Sequence, residues 1–87
     1  MRLKQAREAA RAFCRHFDYP QGDIDKLAGP PIQAPLVIER EGASVRVYRW
    51  LGHGRGATYV QVEISVPSGD VTVHGAIGDR GLGPWKP

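Results

Sequence analysis

SVRVYRWLGHGRGATYVQVEISV, residues 44–66, decides the fold. On either side of its glycine-rich centre, apolar and polar side chains alternate with the period of two that marks a β-strand rather than a helix. At the centre, Gly52, Gly54 and Gly56 alternate with His53 and Arg55. A glycine-rich phosphate loop leads into a helix, whose first amides hold the anion. Here Thr58 opens another period-two run, so the glycines are read as the bend of a hairpin. An anion-binding nest of amides aided by Arg55 is the alternative.

Two further runs flank this hairpin: LVIER at 36–40, joined to it by EG, and DVTVHGAI at 70–77, reached through PSGD. Tight connections between consecutive strands predict an antiparallel meander of four strands over residues 36–77. Setting Arg40 opposite Ala43, Leu51 opposite Thr58 and Val66 opposite Val71 aligns Ile38, Val45, Ile64 and Val73, then Leu36, Val47, Val62 and Gly75. These rows form an apolar face on which Gly75 leaves room for an aromatic side chain, Phe13. The same register places Val37, Arg46, Glu63 and His74 in one row of the opposite face, with Tyr48 beside Gln61 and Trp50 beside Tyr59 beyond it. Arg49 falls on the covered face opposite Val60, to snorkel to solvent or meet Asp18, Asp23 or Asp25.

Ahead of the strands, Leu3, Ala6, Ala10, Phe13 and Phe17 recur at helical spacing, which predicts one amphipathic helix over residues 2–17. Residues 18–35, rich in Pro, Gly and Asp, are read as a connector in which Asp23 caps a short turn over 24–28. Residues 78–87 form an extended tail. The expected architecture is α+β: an N-terminal helix packed on one face of a four-stranded antiparallel meander, a single domain over residues 1–87.

Composition narrows the function classes. The chain has 87 residues, 41% of them hydrophobic and 24% charged, as in an ordinary globular domain, and no stretch approaches the roughly 18 apolar residues of a membrane span. The basic N-terminus lacks the apolar core of a secretory signal, so a cytoplasmic protein with no membrane partner is expected. The single Cys14 rules out an internal disulfide. His16, His53 and His74 lack the close spacing of a metal motif, so neither metal nor cofactor is expected. Cys14 and His16, two apart on a helix, point away from each other and make no nucleophile pair. Arg46, Glu63 and His74 are read as cross-strand charge pairing rather than acid/base machinery, and no catalytic residue is assigned.

The net charge is +3, and residues 1–17 carry five cations against Glu8, a surplus of 4 that leaves −1 for the rest. That asymmetry invites an acidic partner. Two surfaces compete to receive it. Tyr48, Trp50 and Tyr59 on the face away from the helix, rimmed by Arg46, Glu63, Arg55 and His53, have the composition of a protein-binding hot spot. The same aromatics are alternatively covered by the tail, through Leu82 and Trp85, or by a second copy in a homodimer. The runner-up is nucleic acid, with Lys4, Arg7, Arg11 and Arg15 tracking phosphates along the helix and Tyr48, Trp50 and Tyr59 stacking on unpaired bases.

VRVYRW followed by TYVQVEISVPSGDVTV resembles the strand, strand, Ser-Gly turn, strand pattern of cystatin-like and nuclear-transport-factor-like small domains, a group that includes bacterial immunity proteins. The resemblance covers about half the chain. It implies a helix packed on a meander and an inhibitory, non-enzymatic role exercised by surface contact, and it assigns no functional residue.

Overall fold

A computed structural model of the chain describes residues 2–31, 35–51 and 58–87. Helix α1 spans Arg2–His16 and buries Ala6, Ala9, Ala10, Phe13 and Cys14, the stripe set by its apolar spacing. It stops one residue short of the expected end because Asp18 takes a left-handed conformation at φ 57°. The Tyr19 amide then donates to the Cys14 carbonyl at 2.8 Å and the Asp18 amide to Arg15 at 3.4 Å, the paired bonds that close a helix C-terminus. The connector contains a short helix α2, Gln21–Asp25, and a 3₁₀ turn, Lys26–Ala28. Asp23 does not cap it: the turn begins one residue after Pro20 and has no side-chain cap.

Five strands follow, β1 Leu36–Arg40, β2 Ala43–Leu51, β3 Tyr59–Ser65, β4 Val71–Ile77 and β5 Arg80–Trp85. Each is hydrogen-bonded to the next in a single antiparallel sheet of order β1-β2-β3-β4-β5. The protein is therefore α+β, with α1 laid across β3 and β4. The sheet has five strands rather than four because residues 80–85 pair with β4 instead of trailing as a tail. The stretch RGLGPW has little strand propensity of its own. It is held by Leu82 and Trp85, which pack against the core, and the Phe13 and Trp85 rings meet at 5.7 Å. Among the described residues, no helix is long and apolar enough to cross a membrane.

The β1–β2 register has Arg40 opposite Ala43, as the EG turn requires, with Glu41 and Gly42 both at positive φ. The next register differs by one residue: Leu51 lies opposite Tyr59, not Thr58. A one-residue slip exchanges every side chain between the two faces. In consequence Tyr48 opposes Val62 and Trp50 opposes Val60 on the side toward α1, while Val45, Val47 and Arg49 turn outward. The physical reason lies in β2 itself, where each alternating set carries two or more large apolar side chains. Burying Tyr48 and Trp50, at about 150 to 250 Å² each, removes more apolar surface than burying Val45 and Val47. Trp50 also finds a hydrogen-bond acceptor, its Nε1 donating to the Gly29 carbonyl at 3.3 Å.

The β3–β4 register moves by two residues, Val71 lying opposite Ile64 rather than Val66, so the inward and outward sets of these strands are kept. Val66 instead enters the turn, which is closed by the Ser65 amide donating to Asp70 and the Gly69 amide to Ser65, both at 2.8 Å. Gly75 does face the helix: a Cβ there would lie 2.7 Å from a Phe13 ring carbon and 2.8 Å from the Tyr59 carbonyl, and would also collide with the Tyr19 hydroxyl.

Candidate partner-binding surfaces

The expected aromatic patch does not exist as a surface. Tyr48 and Trp50 are each 3% exposed and belong to the core with Val60, Val62, Ile64 and Val73. Their rings lie 6.4 Å apart, nearly parallel, beneath the segment that carries Leu27 and Gly29. Tyr59, from the same proposed group, stands on the opposite face, because it is odd-numbered on a strand whose even positions are buried. The C-terminal residues do not fold over this face either. They extend the sheet at the β4 edge and turn Trp85 toward the helix, where it stacks on His16 at 5.5 Å. His53 and Arg55 lie outside the described residues.

The row of Arg46, Glu63 and His74 also dissolves. Arg46 opposes Ile64, Glu63 opposes Val47 and Thr72, and His74 opposes Gln61. Glu63 instead meets Arg40 two strands away, with Nη1 donating to its carboxylate oxygens at 2.9 and 3.1 Å. Arg49, expected on the covered face, lies outward with its guanidinium carbon 4.6 Å from the centre of the Tyr59 ring, a cation–π contact.

What the outward face does present, among its polar groups, is three apolar pairs. Leu36 and Val47 form one cross-strand pair, Ile38 and Val45 a second, Leu51 and Tyr59 a third. Leu36 is 52% exposed and Leu51 40%. Arg40 reaches across β2 to Glu63, the row of Arg49, Gln61 and His74 separates Leu51 and Tyr59 from the other two pairs, and no described element lies over this face. Sequence pattern contained this set, since the β1–β2 register pairs Leu36 with Val47 and Ile38 with Val45 in either reading. The missing information was which side of that pairing the helix would cover.

A second surface runs along α1. Lys4 and Arg15 are exposed and Arg7 and Arg11 half-buried. Lys4, Arg7, Glu8 and Arg11 line, with Ala28, a groove of about 430 Å³. One guanidinium nitrogen of Arg7 donates to the Gly29 carbonyl at 3.1 Å, and the buried Nε atoms of Arg7 and Arg11 have no hydrogen-bond partner. Among the described residues, none of these cations is ion-paired with a carboxylate.

Titratable chemistry is subdued in the core. Burial, reinforced by the charge of Asp23 and opposed by Arg15, pushes the Cys14 thiol up to about 12, so the group is a neutral thiol at ordinary pH. Burial likewise raises the Tyr19 phenol, whose hydroxyl donates to the Tyr59 carbonyl at 3.1 Å. Among the described residues, no three His, Cys, Asp or Glu side chains gather as a metal site would need.

No protein-family model matches the chain, and comparison with curated proteins and with solved structures gave no match.

Proposed function

We propose that this protein is a non-enzymatic protein-binding module that acts by surface contact through the outward face of its sheet. The observation that carries the reading is the outward-facing set Leu36, Ile38, Val45 and Val47, with Leu51 and Tyr59 beyond Arg49, over which no described element lies and of which Leu36 and Leu51 are exposed. Outward apolar side chains interspersed with polar and charged groups have the composition of a protein interface. Tyr59 under Arg49 supplies an aromatic and guanidinium pair of the kind enriched in hot spots. The partner that fits is a protein with an apolar ridge bordered by carboxylates, which Arg49 and the overall charge of +3 would attract.

The test is affinity capture from a native extract with the wild-type chain and with Val47→Gln/Tyr59→Ala, in the presence of nuclease. Both substitutions lie on the outward face, so the variant is expected to stay folded. A protein retained at stoichiometric level by the wild type and released by the variant is the expected result. Equal retention by a folded variant refutes the assignment to this face.

A second reading, nucleic-acid binding, is favoured by the unpaired cations lining the α1 groove. It predicts that capture is lost on nuclease treatment, that affinity falls steeply with salt, and that Arg7→Glu/Arg11→Glu abolishes binding. The burial of Tyr48 and Trp50 removes the stacking platform that single-stranded recognition would use, and this places the second reading behind the first.

A further inference from the structure

The two edges of the sheet are unlike each other. At one edge, β5 contains Gly81, Gly83 and Pro84; Gly83 sits at φ 91° and the pairing with β4 breaks register between Val73 and Gly75. Proline and irregularity of this kind blunt an edge against further pairing. At the other, β1 is regular over Leu36–Arg40, every residue of it paired in register with β2 on one side, and among the described residues no strand pairs on its outer side.

Exposure along β1 adds a second, independent observation. Leu36 is 52% exposed and Val37 55%, and as neighbours in a strand they point to opposite faces. A body resting on one face of the sheet covers only one of them. A strand added beside β1 gives both a neighbour.

We infer that β1 is a self-association edge, pairing antiparallel with β1 of a second copy about a two-fold axis through Val37. Such an axis, normal to the sheet, sets Val37 against Val37 of the second copy on the helix side and Leu36 against its Ile38 on the outward side. Apolar residues then oppose apolar residues at the three central positions, and Glu39 and Arg40 fall outside the pairing, where they meet no like charge. Because only one edge of the sheet is regular, the contact closes on itself as a dimer and does not propagate as a filament. The product is a continuous sheet with five strands from each copy, whose outward apolar faces lie side by side. The edge contact is small, below the roughly 1,200 Å² of a stable interface, so the dimer is a weak and concentration-dependent one.

Sedimentation velocity from about 10 μM to about 1 mM, a range that brackets weak association, tests this with three chains: wild type, Val37→Glu and Val37→Lys. Val37 is on the opposite side of the sheet from Val47 and Tyr59 and is more than half exposed, so the substitutions leave both the fold and the proposed protein-binding face in place. Thermal melts followed by circular dichroism check the former. The wild type is expected to dimerise with rising concentration. Each variant alone places like charges directly opposite each other and is expected to weaken the dimer by about fivefold. Mixed in equal amounts, the two variants set Glu against Lys and are expected to recover it. A wild type that stays monomeric at the highest concentration leaves the edge to a strand of another protein and overturns the proposal. So does a dimer that either variant leaves intact, or a mixture that fails to recover association.

Discussion

Replacing Trp50 with Phe puts the orientation of β2 to a direct test. The indole is 3% exposed and its Nε1 donates to the Gly29 carbonyl at 3.3 Å. Phenylalanine keeps most of the buried ring but loses the hydrogen bond, worth about 1 kcal/mol net. It also leaves part of the indole volume empty, a loss of about 1 kcal/mol for some 40 Å² of apolar contact at roughly 25 cal/mol/Å². The Gly29 carbonyl is not orphaned, because an Arg7 guanidinium nitrogen still donates to it at 3.1 Å. The sum is about 2 kcal/mol, and at about 4 to 8 °C per kcal/mol for a domain of this size the melting temperature falls by about 8 to 16 °C. Trp50→Ala, at about 3 to 5 kcal/mol, consumes most of the stability of so small a chain and yields a largely unfolded protein. The matched control is Val47→Thr, three residues away on the outward face, which changes the melting temperature by no more than about 4 °C. Melts followed by far-ultraviolet circular dichroism, confirmed by urea titration, decide the matter. If Trp50→Phe is neutral while Val47→Thr is strongly destabilising, β2 presents its other face to the helix and the burial argument is wrong.

Gly75→Ala is expected to destabilise by about 1 to 3 kcal/mol, because the added methyl meets the Phe13 ring, the Tyr19 hydroxyl and the backbone carbonyl of Tyr59, the last of which cannot yield; chemical denaturation reads the change, and an unaffected midpoint refutes the close approach. Cys14, 1% exposed with its thiol pushed up to about 12, is expected to resist alkylation at pH 8 until urea unfolds the chain, whereas stoichiometric labelling of the native protein contradicts its burial. The same shift sets an alkaline limit. A thiol whose ionisation is suppressed in the folded state contributes full stability below the unfolded value of 9.0 and loses it as pH rises toward about 12, at up to about 1.4 kcal/mol per pH unit. Cys14→Ala removes this component of the slope, and a pH dependence unchanged by the substitution refutes the assignment to Cys14.

Much of the architecture was legible in residue spacing. The spacing of Leu3, Ala6, Ala10, Phe13 and Phe17 specified a helix and its buried side, and the period-two runs from Leu36 onward specified strands. The EG turn fixed the β1–β2 register, because a two-residue loop leaves no freedom in pairing. Gly75 was legible as the point of helix contact, since a residue without a side chain in an apolar row implies a neighbour that occupies its place. The basic stripe Lys4, Arg7, Arg11 was equally legible, and the structure places it along a groove.

Which face of β2 is buried was settled by long-range packing. Val45 and Val47 on one side and Tyr48 and Trp50 on the other are both plausible core sets, and local alternation does not discriminate between them. The choice rests on total buried area and on an acceptor for the indole N–H. That acceptor, Gly29, lies 21 residues away in sequence and comes within reach only when the connector folds back over the sheet. The fifth strand was hidden for a related reason. The segment Arg80–Trp85, poor in strand-forming residues, becomes a strand because an existing edge and the Phe13 and His16 rings of α1 give Trp85 and its backbone partners they lack in isolation.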